Sequence, residues 1–207
     1  FAIFSSNQKL CSASGCNISG SYSFTKNLKV KLFIEGPYSS NINLMIIKDT
    51  VRVYLRSSAS PYNKVDSAKD VIGTDGNGYF NFSNATNNSN YYIIIKGRNI
   101  IETWSKSGGS SFVNNELNYD FTSSISQAFG NNQKQIDLSP VTFGIFSGDI
   151  NQDGIVDLTD GGLVDNSAAS YLTGYVAADV NGDGIVDLSD EAIVDNNTYN
   201  FVTVEKP

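Results

Sequence analysis

Between residues 29 and 146 the chain alternates apolar and polar positions in short runs separated by turn residues. Residues 29–35 (KVKLFIE) place Val30, Leu32 and Ile34 on one face. Residues 51–56 (VRVYLR) place Val51, Val53 and Leu55 inward and Arg52, Tyr54 and Arg56 outward. Residues 74–78 (TDGNG) read as a turn into an extended run at 79–82, and residues 91–96 (YYIIIK) are nearly all apolar or aromatic, as in a central strand. Further extended runs follow at 100–105, 117–121 and 141–146. Alternation with period two is the mark of strands, because successive side chains point to opposite faces. About seven such runs in roughly 115 residues, with no amphipathic helix among them, predict a two-sheet β-sandwich.

After residue 146 the pattern changes. A twelve-residue motif occurs at 149–160 (DINQDGIVDLTD) and again, thirty residues on, at 179–190 (DVNGDGIVDLSD). Each copy sets side-chain oxygens at loop positions 1, 3, 5, 9 and 12 and glycine at position 6, the spacing of a calcium loop. Ca²⁺ takes roughly six to eight oxygen ligands in flexible geometry. The expected ligands of the first loop are Asp149, Asn151, Asp153, the Ile155 carbonyl, Asp157 and Asp160; those of the second are Asp179, Asn181, Asp183, the Ile185 carbonyl, Asp187 and Asp190. Gly154 and Gly184 permit the sharp bend. Val156 and Val186, at position 8, are expected to form a short strand-like contact between the two sites.

The surroundings of the loops are not those of an EF-hand, which has a helix on each side. The first loop is reached from an extended run, and helical patterning appears only on the exit side, at 158–164 and 188–194. A loop–helix unit duplicated within about 60 residues, with Asp in place of Glu at position 12, resembles a dockerin. That resemblance covers residues 148–202 and implies two Ca²⁺ ions and docking onto a cohesin domain of another protein. The chain departs from the dockerin pattern in three ways. Gly161 and Gly162 fall inside the first helix, both helices are expected to stop near Asp165–Asn166 and Asp195–Asn196, and no Lys or Arg lies between Asp149 and Glu205. These features favour calcium as a structural fastener over a mobile switch. The preceding region is similar to prealbumin-like and collagen-adhesin B-type modules of bacterial surface proteins, through residues 51–55, 74–82 and 92–95. The fold expected is therefore mainly β: an Ig-like or prealbumin-like sandwich followed by a small dockerin-like α module.

The net charge of −7 conceals an asymmetry. From Asp149 onward twelve acids stand against one base, Lys206, which makes −11; the first 148 residues hold nine acids and thirteen bases, which makes +4. The acids lie where the metal is expected, and the basic part would complement the acidic end of another copy. No basic cluster points to nucleic acid. The chain has no His, which excludes Ser-His-Asp and Cys-His catalysis, and eight of the twelve acids from Asp149 onward are expected to be committed to calcium, so a non-enzymatic protein is expected. No apolar run of about 18 residues is present, so no membrane insertion is expected.

Cys11 and Cys16 enclose a short flexible loop and are a disulfide candidate; free thiols are the alternative. Calcium loops and paired cysteines together suggest an extracellular or cell-surface protein. The chain opens on Phe1, so a processed or longer parent is expected. Three segments are delineated: an arm rich in Ser and Gly at 1–26, the sandwich at 27–146 and the calcium module at 147–207. The arm would pack on its own sandwich or add a strand to a neighbouring subunit. Two functions follow. One is a calcium-stabilised structural subunit that associates with copies of itself, head to tail or through the arm. The other is an anchoring module for a cohesin-type receptor, which requires Leu158, Thr159, Leu188 and Ser189, at loop positions 10 and 11, to be exposed.

Overall fold

The computed structural model describes residues 25–207. Most of the arm expected at 1–26, and the Cys11–Cys16 pair, lie outside the described residues. Among the described residues twelve strands precede two α-helices: β1 Lys26–Lys31, β2 Tyr38–Ser39, β3 Leu44–Met45, β4 Asp49–Ser57, β5 Lys64–Ile72, β6 Asn77–Phe82, β7 Asn90–Lys96, β8 Thr103–Trp104, β9 Ser110–Ser111, β10 Glu116–Asp120, β11 Lys134–Leu138, β12 Val141–Gly144, α1 Leu158–Ala169 and α2 Leu188–Tyr199. The chain is mainly β. Among the described residues no helix is long and apolar enough to cross a membrane.

Two sheets contribute side chains to one core. A three-stranded sheet runs β10–β1–β6, with β1 parallel to β10 and antiparallel to β6. A five-stranded sheet runs β5–β4–β7–β8, with β9 also on β7. Leu28 and Val30 from β1, Phe80 and Phe82 from β6, Val51, Val53 and Leu55 from β4, and Ile93 and Ile95 from β7 are buried in the same cluster. The inward positions read from the sequence for 51–56 are the buried ones. Residues 91–95 are apolar or aromatic on both faces because this part of β7 is covered twice. Tyr92 and Ile94 point away from the main core into a second cluster with Trp104, against which Tyr54, Tyr62, Phe129 and Val204 pack.

Several expected boundaries move. The run at 29–35 is hydrogen-bonded in the sheet only as far as Lys31; beyond it, Ile34 makes an isolated bridge to Ile145. The run at 100–105 reduces to Thr103–Trp104, and that at 141–146 ends at Gly144 and pairs with β11. Strand β5 was not anticipated. It sits at the edge of its sheet, mostly half-buried or exposed on both faces, so no apolar alternation marks it.

Both helices run a full turn past their expected stops, to Ala169 and Tyr199. The Asn residues that read as breakers are accommodated on the exposed face. Asn166 Nδ2 donates to the Gly162 carbonyl (2.7 Å) and Asn196 Nδ2 to the Ala192 carbonyl (2.7 Å). A second core sits beneath the helices, built from Val156, Val164, Ala178, Val180, Val186, Val194 and Val202 together with Ile101 from the β7–β8 connection.

Candidate metal centre: two acidic loops related by a pseudo-dyad

The two loops fold by the same local rules. Gly154 and Gly184 sit at φ of 92° and 85°, where a side chain would be strained. Asn151 and Asn181, at position 3, each accept from the amide two residues on (2.8 Å in both loops), a side-chain turn that tightens the bend. Asp153 and Asp183 do the same for Ile155 (3.0 Å) and Ile185 (2.9 Å). Asp157 and Asp187 are helix N-caps and accept from Thr159 (2.7 Å) and Ser189 (2.8 Å). The Ser189 hydroxyl also donates to Asp187 and holds its carboxyl below the usual range.

Position 12 closes each loop. Asp160 is fully buried and accepts from the amides of Ile150 (2.8 Å), Asn151 (3.1 Å) and Asp157 (3.1 Å). Asp190 accepts from Val180 (2.7 Å), Asn181 (2.8 Å) and Asp187 (3.0 Å). One carboxylate thereby pins the start of the loop to the start of its helix and completes a capping box. The short side chain of Asp suits this role.

The loops do not pair with each other. Val156 and Val186 are buried as expected, but the strand-like contact expected between the two sites is absent, and each loop pairs with the segment following the other loop's helix. Val156 N donates to Val202 O (2.9 Å) and Val204 N to Gly154 O (2.9 Å); Val186 N donates to Leu172 O (3.1 Å) and Gly174 N to Gly184 O (2.8 Å). Each set maps onto the other under the thirty-residue offset with the loops exchanged. The relation is a pseudo-two-fold that interlocks the two repeats. Backbone closure of one site therefore depends on the helix of the other.

The position-1 carboxylates stand apart electrostatically. Asp149 and Asp179 are buried, and each has one oxygen with no hydrogen-bond partner, Oδ1 of Asp149 and Oδ2 of Asp179. Burial and then the Asp160 carboxylate push the Asp149 acid up to about 6. Burial also raises that of Asp179, although the Arg98 guanidinium pulls it back. An unpartnered buried carboxylate oxygen is costly unless a cation meets it.

Among the described residues no three His, Cys, Asp or Glu side chains converge on one point as a metal cage. Asn151 Nδ2 bonds Asp153 (2.9 Å) and Asn181 Nδ2 bonds Asp183 (3.0 Å), while Asp157 and Asp187 face their helices. The donor set nonetheless fits a hard cation. Every group is oxygen-bearing, and a carboxylate has about four lone-pair directions, of which Asp160 and Asp190 use three.

The loops are fastened to the sheets by side chains outside the expected ligand positions. Asn99, in the β7–β8 connection, is buried and donates to the carbonyls of Ala177 (2.8 Å) and Asp179 (3.1 Å), while its own carbonyl accepts from Gly148 (2.7 Å). Gln152 of the first loop donates to the carbonyls of Gly97 (2.8 Å) and Arg98 (3.1 Å). Arg98 stacks on Tyr175 (4.3 Å), donates to the Val176 carbonyl and pairs with buried Asp49 (3.5 Å). Asn197 of α2 donates to Glu35 (2.7 Å) and to the Ser147 carbonyl (2.8 Å). At Gly36 a Cβ would lie 2.0 Å from the Val180 carbonyl oxygen, so the backbones meet directly. Only the G-R-N tripeptide after the apolar run of β7 could have signalled this contact from the sequence.

No protein-family model matches the chain, and no curated protein matches it.

Proposed function

We propose that the chain is a non-enzymatic, extracellular structural subunit in which two Ca²⁺ ions fasten a dockerin-like module to a prealbumin-like β-sandwich, and which assembles with other copies of itself. The observation that carries the calcium reading is the pair of buried, unpartnered oxygens on Asp149 and Asp179, at equivalent places in two loops of calcium spacing. Bound Ca²⁺ would supply the missing positive charge there. The chain's own part is to hold the loop shut through Asp160 and Asp190 and to anchor both loops on the 97–101 connection. Buried anchors on both sides of that connection favour a rigid joint over a switch.

Isothermal titration of chelator-treated protein tests the reading. Two Ca²⁺ per chain are expected, with a rise in the thermal midpoint, and with EGTA lowering the order of any assembly. Absence of calcium binding, or identical unfolding in Ca²⁺ and EGTA, would sink it.

A receptor-binding reading is favoured by one observation. Leu158, Thr159, Leu188 and Ser189 are exposed, the two leucines by 79% and 81%. Submicromolar binding of a cohesin-type domain, lost in Leu158→Asp with Leu188→Asp, would place the chain in that class.

A further inference from the structure

The outer side of the five-stranded sheet carries a charge pattern that folding does not require. Cross-strand register sets Arg52 of β4 opposite Lys69 of β5 on one side and Lys96 of β7 on the other, and Arg56 opposite Lys64. Like charges directly opposite one another on a sheet face are destabilising. Among the described residues only Lys96 of these five makes an ion pair, with Glu102 at 2.8 Å. Arg56 and Lys64 lie over the rings of Trp104 and Tyr54, so the charges stand on an aromatic floor. Arg52, Lys64 and Lys69 are exposed.

The C-terminal module carries the complement. Its twelve acids face a single base. Four of the twelve, Asp165, Glu191, Asp195 and Glu205, lie outside the calcium ligand set, and Asp165 and Asp195 occupy equivalent exposed positions of α1 and α2. Apolar groups on the same repeats are left uncovered in matching pairs: Leu158 and Leu188, and Tyr171 and Phe201, the last two exposed by 89% and 87%. Tyr171 and Phe201 both take φ of 53°, an uncommon conformation for bulky residues.

We infer that the basic outer face of β5–β4 is the docking site for the acidic helices α1 and α2 of a second copy. The inference rests on the assembly reading above and names the two surfaces that meet. The patches differ, so the contact is heterologous and propagates from chain to chain instead of closing as a two-fold dimer. Cations that repel one another in the isolated sheet gain anionic partners. Such a contact weakens as salt rises.

Sedimentation of the full chain in Ca²⁺ at graded salt tests the inference with two charge reversals. Arg52→Glu with Lys69→Glu alters the sheet face at exposed positions; Asp165→Lys with Asp195→Lys alters the helices outside the calcium ligands. Circular dichroism and calcium stoichiometry are measured on each to establish folding. Wild type should form chains that shorten with salt, and each reversal should weaken association by about tenfold or more. Mixing the two variants should restore association, because the unaltered acidic helices of the first meet the unaltered basic sheet of the second; a mixture that associates no better than either variant alone overturns the inference. Wild type that is monomeric at all concentrations overturns the assembly reading along with this inference. Wild type that assembles while both reversals assemble equally well overturns the inference alone. Selective loss, in the sheet variant, of binding to an acidic polysaccharide such as heparin, with self-association unchanged, assigns the face to a polyanion and also overturns it.

Discussion

At the residue scale the chemistry concentrates on Asp149 and Asn99. Burial and Asp160 raise the Asp149 acid to about 6 in the metal-free chain, above the value of about 3.9 in an unfolded one. Between these values the folded chain holds the proton more tightly, so this group's contribution to metal-free stability is fully present below the unfolded value and is lost as pH rises through about 6. Denaturation in EGTA at pH 4.5 and 7 should show this group's contribution lost at the higher pH, and the Asp149→Asn variant should flatten the difference. If Ca²⁺ binds here as proposed, it would replace the proton, so its affinity should rise across the same window. Asn99 acts through two donated bonds to the carbonyls of Ala177 and Asp179. Asn99→Ala leaves both carbonyls buried without that donor, at a cost of about 1–3 kcal/mol. Urea denaturation in saturating Ca²⁺ measures it, and an unchanged midpoint would show that Asn99 does not hold the second loop.

At the scale of elements, the two adjacent glycines of α1 have different roles. A Cβ at Gly161 would lie 3.0 Å from Glu191 Oε1, whereas at Gly162 it would meet nothing within 4 Å. Gly161 and Glu191 are equivalent positions of the two repeats, so glycine makes room across the pseudo-dyad for a glutamate whose acid is raised by burial and by Asp165 and Asp195. Gly162→Ala should stabilise by about 1 kcal/mol from helix propensity alone, and Gly161→Ala by less, since Glu191 must shift. Thermal unfolding of the two variants decides it; a larger gain at 161 would contradict the packing argument. The same elements show how far the sequence could be read. Strands β4, β6 and β7 were legible because their inward residues alternate or are apolar throughout. Strand β5 was not, because an edge position puts no steady apolar demand on KVDSAKDVI. The helices were cut short in the reading because Asp and Asn disfavour helix locally, whereas the capping box and buried Val164 and Val194 override that preference. The turns of the two loops were legible from spacing, through the glycines at position 6 and the Asn and Asp side chains that accept from amides two residues on. The exchange of pairing segments was not, because it depends on which helix end returns to which loop.

At the scale of the whole molecule, both loops depend on a single connection between β7 and β8. Gln152 holds it from the first loop, and Asn99 holds the start of the second. The exchanged backbone pairing adds a second tie, since each loop is closed by the segment after the other helix. If the loops bind Ca²⁺ as proposed, an ion at one site would order groups that the other site needs, so the two binding events should be positively coupled, and coupling between equilibria is reciprocal. At free Ca²⁺ about 1,000-fold above Kd, each ion adds roughly 4 kcal/mol to a folded state that alone binds it. Part of that should reach the sheets through residues 97–101. Asp149→Ala should therefore remove one site and also weaken the remaining one several-fold, and Asp179→Ala should do the same in reverse. Calorimetry on both variants measures the reciprocity. Hydrogen exchange in EGTA should open 97–101 together with both loops while the amides of β1 and β4 stay protected. Equal affinity of the surviving site in wild type and both variants would mean that the shared connection transmits nothing, and that the two fasteners act independently on a body that is rigid without them.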